Sequence, residues 1–264
     1  MRNPPEEFSE EEKRGLYRAI YERRDVRSQF RPDAIPPAVV ARLLSAAHHA
    51  ASVGFMQPWD FIIIENLALR QKVKALFERE NDRAAANYDG ERELLYRSLK
   101  LEAILESPLN LCVTCDRTRG GQHVLGRNTV VETDLFSACL AVQNLWLAAR
   151  SEGIGVGWVS IVDQAELAQL LGLPGHVYPL AYLCIGYASE FLSAPELELK
   201  GWQSRVPLLT LVHRDHWGAA ILDRELAAAI LAVEEAAAPL EFNSACGRTE
   251  EEIEKPNRGG LPPH

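Results

Sequence analysis

The sequence predicts an α+β fold, a central and mostly antiparallel sheet flanked by helices. Three observations carry this. Helical and strand-like periods are mixed along the 264 residues without the strict alternation of a parallel sheet. The hydrophobic share is 47 %, enough for a substantial core. The one glycine-rich run, GIGVG at 153–157, follows a helix and leads into a strand. A dinucleotide fingerprint needs the opposite order, strand then glycine loop then helix.

The elements follow in order. Ser9-Glu10-Glu11-Glu12 is a capping box that starts a helix reaching about Arg23. Pro36-Pro37 opens a second helix, with Val39, Val40, Leu43, Leu44 and Ala47 at helical spacing. DFIIIE (60–65) is a short apolar strand, and two polar-rich helices are expected over 67–88 and 91–106. LNLCVTCD (109–116) is a buried strand. RTRGGQHVLGRNT (117–129) has no period and three glycines, so it reads as a long loop, the kind that serves as a lid or binding loop. Residues 132–152 are apolar nearly all round, which places that helix centrally or in an oligomer interface. A strand at 153–160, a short helix capped by Asp163 and a strand at 177–187 follow. Residues 189–217 read as irregular, 219–237 as an Ala/Leu/Glu helix and 239–264 as disordered.

The net charge of −9 argues against a nucleic-acid partner. Seven of those nine charges sit in residues 1–14 and 219–264. Residues 15–218 are nearly neutral, so three stretches are expected: an acidic arm, a main domain over 15–218 and an acidic extension. The start is acidic and polar, unlike a secretory leader, and no apolar run is long enough to cross a membrane. The five cysteines fit a reducing cytoplasm. Cys112 and Cys115 stand three apart on a strand, on opposite faces, which disfavours a shared metal or disulfide. His48-His49 and His213-x-x-His216 suggest no complete ligand set, so no metal is expected.

Three constellations offer chemistry. Arg23, Arg24 and Arg27 lie within five residues around Asp25 and Val26, suited to clamping a phosphate, or simply a solvated helix end. Asp25 among guanidinium groups should stay ionised, as a proton acceptor or an anchor. Residues 51–59 (ASVGFMQPW) combine a hydroxyl, an amide and aromatics, suited to the edge of a flat heterocycle or to an ordinary turn anchored by Trp59. The glycines of 153–157 mark close approach of the strand to a ligand or another chain, with Ser160 at the strand's end.

Taken together, RRDVR (23–27), SVGFMQPW (52–59), YRSLKLE (96–102), CVTCDRTRGG (112–121), AVQNLWLAAR (141–150), EGIGVGWVS (152–160) and KGWQSR (200–205) resemble the nitroreductase-like flavoprotein superfamily. The resemblance spans about 12–215 and is nearest to its flavin-destroying branch, which makes 5,6-dimethylbenzimidazole, the lower ligand of cobalamin. Phe55 stands where general nitroreductases carry Asn, and Ala51 where the branch commonly has Pro. The resemblance implies an interlocked homodimer that binds reduced FMN between subunits and fragments it with O₂ to 5,6-dimethylbenzimidazole and erythrose 4-phosphate. A separate flavin reductase would supply the FMNH₂. It further implies that Arg23, Arg24, Arg27 and Arg205 hold the phosphate and ribityl region, with Val26 in the same stretch. Ser52, Met56 and Gln57 would line the isoalloxazine, with Lys100 and Leu101 beside it. Asp25 would be the acid/base group, Ser160 would hydrogen-bond the flavin, and 117–127 would be a lid.

Two other readings stand beside this one: an FMN-dependent NAD(P)H nitroreductase, and a non-catalytic flavin-binding protein whose acidic extension recruits a partner. The disorder expected of 239–264 has a direct test. Deleting it should leave folding and assembly unchanged by circular dichroism and size-exclusion chromatography; loss of the assembly overturns that expectation.

Overall fold

The computed structural model describes residues 7–221 and 223–237. The capping box forms as expected: Ser9 Oγ accepts the N–H of Glu12 at 3.3 Å, and the Glu12 carboxylate accepts the N–H of Ser9 at 2.8 Å. It starts α1 (Glu10–Glu22), which crosses residue 14. Then come α2 (Pro37–His48), β1 (Trp59–Ile64), α3 (Leu67–Ala85), α4 (Gly90–Ser98), β2 (Leu109–Asp116), α5 (Thr133–Ser151), β3 (Ile154–Val159), α6 (Gln164–Leu170), β4 (Val177–Tyr187), α7 (Glu196–Leu199) and α8 (Arg224–Ala237). Residues up to Pro207 form one compact unit and those from Leu208 a second. Within the second, the Leu208 N–H donates to Glu234 of α8 at 2.6 Å.

The four strands form one antiparallel sheet in the order β1-β2-β4-β3. The inner strand β2 is buried on both faces, and its apolar residues share the interior with buried Asn110 and Thr114. Leu111, Val113 and Cys115 face a core shared with α2 and α5. Cys112 faces the other core, with Val73 and Phe77 of α3 and Leu167 of α6. The two cysteines therefore lie on opposite faces, and burial pushes both thiols up to about 12, too high for a thiolate role.

Two sequence expectations need correction. The helix expected over 91–106 ends at Ser98, because tertiary packing overrides its pattern: Leu99 turns extended, and Glu102, Ala103 and Ile104 are all buried in succession. The helix expected over 219–237 starts at Arg224, where the Asp223 carboxylate accepts the N–H groups of Glu225 and Leu226. The apolar helix α5 is not enclosed within this chain. Phe136 and Leu140 are 57 % and 48 % exposed and flank exposed Cys139 on one outward stripe. The expectation for 239–264 lies outside the described residues.

The glycines of β3 have a concrete occupant. The chain's own segment after α1 runs alongside β3, with Asp25 bridged in parallel to Val156 and the Val26 N–H donating to Val156 O at 3.1 Å. A Cβ on Gly155 would fall 2.7 Å from Val26 Cγ2, and one on Gly157 only 2.3 Å from Val26 O. Gly157→Ala should therefore lower stability by about 1–3 kcal/mol, as overpacking does. Gly15→Ala in open space on α1 should raise it by roughly 0.5–1 kcal/mol. Paired thermal denaturation measures both.

Candidate functional site

Docking on β3 organises the arginine-rich segment. Asp25 Oδ1 accepts the N–H of Trp158 at 3.2 Å, and Asp25 Oδ2 pairs with the Arg27 guanidinium. The Arg27 side chain is only 10 % exposed, and its Nε has no hydrogen-bond partner. It lines a crevice too tight for water with Leu101, Glu102, Trp158 and Val159. A buried guanidinium with a spare donor calls for an acceptor from a ligand. Arg23 lies 5.0 Å over the Trp146 ring, and Arg205 adds like charge beside both Arg23 and Arg24. Burial and that crowding lower the proton affinity of both arginines, which an anion among them would relieve.

Arg24 is placed differently from the expectation of a phosphate ligand. It donates to the carbonyls of Leu192 (2.9 Å), Ser193 (2.6 Å), Tyr21 (2.8 Å) and Arg23 (2.9 Å), holding the segment before α7 against the site. Lys100 lies beside Leu101 but pairs with Glu102 at 2.9 Å and Glu106 at 2.6 Å. Ser160 is exposed just beyond β3 and makes no hydrogen bond among the described residues.

The residues expected to line a heterocycle form a strained turn. Gly54, Phe55 and Gln57 all take positive φ (58°, 53° and 46°), and Phe55 is 81 % exposed. Such backbone at non-glycine residues costs on the order of 1–3 kcal/mol each and clusters at functional sites. Ser52 Oγ accepts the Gln57 N–H at 3.1 Å and spans the turn, while Met56 is buried beneath it. The loop after β2 lies directly on this turn. A Cβ on Gly54 would meet Val124 at 2.5 Å and the Leu125 carbonyl at 2.7 Å.

The two groups are anchored at different points of α5. The Val53 N–H donates to Ser137 near the start of α5, and Trp146, nine residues on, donates to Arg24 O. At about 1.5 Å rise per residue these anchors are about 14 Å apart along the helix. The exposed stripe of Phe136 and Leu140 lies on the same helix.

Several residues that shape the site carry no local sequence signal. Buried Glu102 accepts from Lys74, Lys100 and the Ile104 N–H, fixing the Lys100–Leu101 loop. Trp202 sits under Arg92 at 3.5 Å and against Tyr88 at 5.3 Å, anchoring the segment that carries Arg205. Glu196 opens α7 with a buried, unpartnered Oε2 and lies within electrostatic reach of Asp25. Glu102 and Trp202 fall inside the motifs YRSLKLE and KGWQSR, but what they do depends on long-range partners, which spacing does not reveal.

Residues 20–187 match the Nitroreductase family. A 5,6-dimethylbenzimidazole synthase of Rhodospirillum rubrum is 45 % identical over 193 residues, covering 73 % of this chain and 91 % of that protein. Its counterpart in Rhodobacter capsulatus is 38 % identical, covering 76 % and 96 %. A BluB-like flavoprotein from Clostridium difficile 630 superposes with a TM-score of 0.58 at 18 % identity, covering 76 % of this chain and 99 % of that one, a likeness of fold.

Burial pushes the Asp25 carboxyl above its ordinary value; Arg27, the Trp158 N–H and Arg23 pull it down, and Glu196 pushes it up. Any activity that needs ionised Asp25 should fall as pH drops through this raised value, giving an acid limb above the ordinary carboxylate range. Glu196→Gln should move that limb to lower pH. A pH–rate profile of wild type and variant checks both.

Proposed function

Because this chain belongs to the nitroreductase family, we propose that it carries out the reaction of that family's flavin-fragmenting branch. Reduced FMN and O₂ give 5,6-dimethylbenzimidazole and erythrose 4-phosphate, and the pyrimidine portion of the flavin ring, which enters neither product, leaves as a separate oxidised fragment. The observation that carries the proposal is Asp25, fixed beside β3 by the Trp158 N–H and the Arg27 guanidinium. The donor set fits a phosphorylated flavin. Arg23 and Arg205 have no carboxylate partner among the described residues, and the Arg27 Nε is a buried donor without an acceptor.

Reduced FMN supplies the electrons that O₂ takes up and is itself consumed. Arg23 and Arg205 hold the phosphate, and Arg27 donates to the ribityl or ring oxygens. Asp25 accepts a proton from the ribityl chain, and the burial that raises its proton affinity makes it a stronger acceptor. Ser160 hydrogen-bonds the flavin edge. Ser52, Met56 and Gln57 line the ring, and the loop over 117–127 excludes water while the reaction runs.

The chain works as a homodimer in the cytoplasm, and a separate flavin reductase supplies FMNH₂. The roughly 14 Å between the two residue groups supports this, because a second copy can bring its turn to the Asp25 half. The outward stripe on α5 is the apolar surface such a pairing would cover.

Incubation of the purified protein with FMNH₂ in air, followed by chromatography, tests the reaction. 5,6-Dimethylbenzimidazole is the expected product, and quantitative recovery of intact FMN overturns the proposal. Asp25→Asn should keep FMN binding and lose product by about 10²- to 10⁴-fold, the usual contribution of a positioned acid/base group.

A further inference from the structure

We propose that Arg119 is a positioning residue that couples closure of the 117–127 loop to the shape of the turn at 52–57. The proposal rests on the flavin-fragmenting reading, in which that turn lines the ring.

Arg119 belongs to the loop, and its Nε lies 3.6 Å from Asp116 at the end of β2, yet both of its terminal nitrogens are spent on the turn and the strand that follows it. Nη1 donates to the carbonyls of Gln57 at 3.2 Å and Trp59 at 3.0 Å. Nη2 donates to both oxygens of Asp60, at 2.9 and 2.7 Å. Gln57 is one of the two positive-φ non-glycine residues of the turn, so Arg119 holds its carbonyl where the backbone is strained. The packing agrees. A Cβ on Gly120 would lie 2.9 Å from Val124 and 3.5 Å from the Met56 Cβ, and one on Gly126 would lie 2.9 Å from Val53. Loop and turn interlock through glycines on both sides.

The loop's other anchors are of a different kind. Arg117 and Arg127 both pair with Asp134, which is 0 % exposed in the first turn of α5, at 2.7 and 2.6 Å. Breaking that buried pair leaves a charge without a partner, so it serves as a fixed root for both ends of the loop. The Arg119–Asp60 pair is half-exposed and opens at little cost. Opening the loop thus releases Arg119 first, and with it the restraint on Gln57. The ring-lining turn takes its working shape only while the loop is down.

Amide hydrogen exchange over residues 52–59 tests this, together with the fraction of FMNH₂ converted to benzimidazole rather than reoxidised intact. In Arg119→Met, exchange over 52–59 should accelerate and the converted fraction should fall by on the order of ten- to hundredfold, as sub-ångström misplacement does. FMN affinity, set by Arg23 and Arg205, should stay within a few-fold. Asp60→Asn, which leaves both carbonyl bonds in place, should shift both readouts the same way but less, and it keeps the test decisive if the first variant folds poorly. Arg119→Lys should rescue only in part, because one ammonium does not span the two carbonyls and Asp60. Unchanged exchange over 52–59 in Arg119→Met overturns the proposal, as does an unchanged converted fraction. A purely structural role would lower affinity and turnover together at a constant converted fraction. If the wild type forms no benzimidazole, the reaction assignment falls, while the exchange data still decide the coupling.

Discussion

The close approach of the 24–27 segment to β3 is the constraint on which the rest of this site depends. Two backbones meet at hydrogen-bonding distance only because Gly155 and Gly157 present no side chain to Val26. From that contact the Trp158 N–H reaches Asp25, Arg27 turns inward beside Leu101, and Trp146 caps the Arg24 carbonyl. Arg24 then draws in the segment before α7, and with it Glu196. One more glycine extends the pattern: Gly186 on β4 leaves room for Phe30 and Pro108.

Two loops of the site share a device. Glu102 is a buried carboxylate that takes two lysines, from α3 and from the loop it steadies. Asp134 likewise takes two arginines from the two ends of another loop. Such pairs repay little net stability, since both charges lose their water. Their value lies in direction: each admits one arrangement of the chain around it. An acidic protein thereby keeps a local cluster of positive charge, because Asp25 and Glu102 are already paired while Arg23 and Arg205 are left unpaired with carboxylates among the described residues.

Much of the fold was legible because it rests on local chemistry. The Ser9 capping box, the Pro37 start, the buried β2 run and the divergent faces of Cys112 and Cys115 all follow from spacing and propensity. The helix expected to reach residue 106 failed where a distant partner, Lys74, held Glu102 in the interior. Site residues were legible where their types were unusual in a row, as in RRDVR. What each arginine does was not: Arg24 looks like Arg23 in sequence, and only the carbonyls of Leu192 and Ser193 separate their roles. The glycines of β3 announced a close neighbour without saying that it was this chain's own Val26.

The distance along α5 has a genetic consequence. If each chain lends its Asp25 half to one site and its 52–57 turn to the other, a defect in either half spoils only the site that half enters. Two inactive variants, one altered at Asp25 and one in the turn, would then form a mixed pair in which both lesions fall in a single site. The other site inherits intact halves from both parents, so two dead alleles together would restore part of the activity that neither has alone.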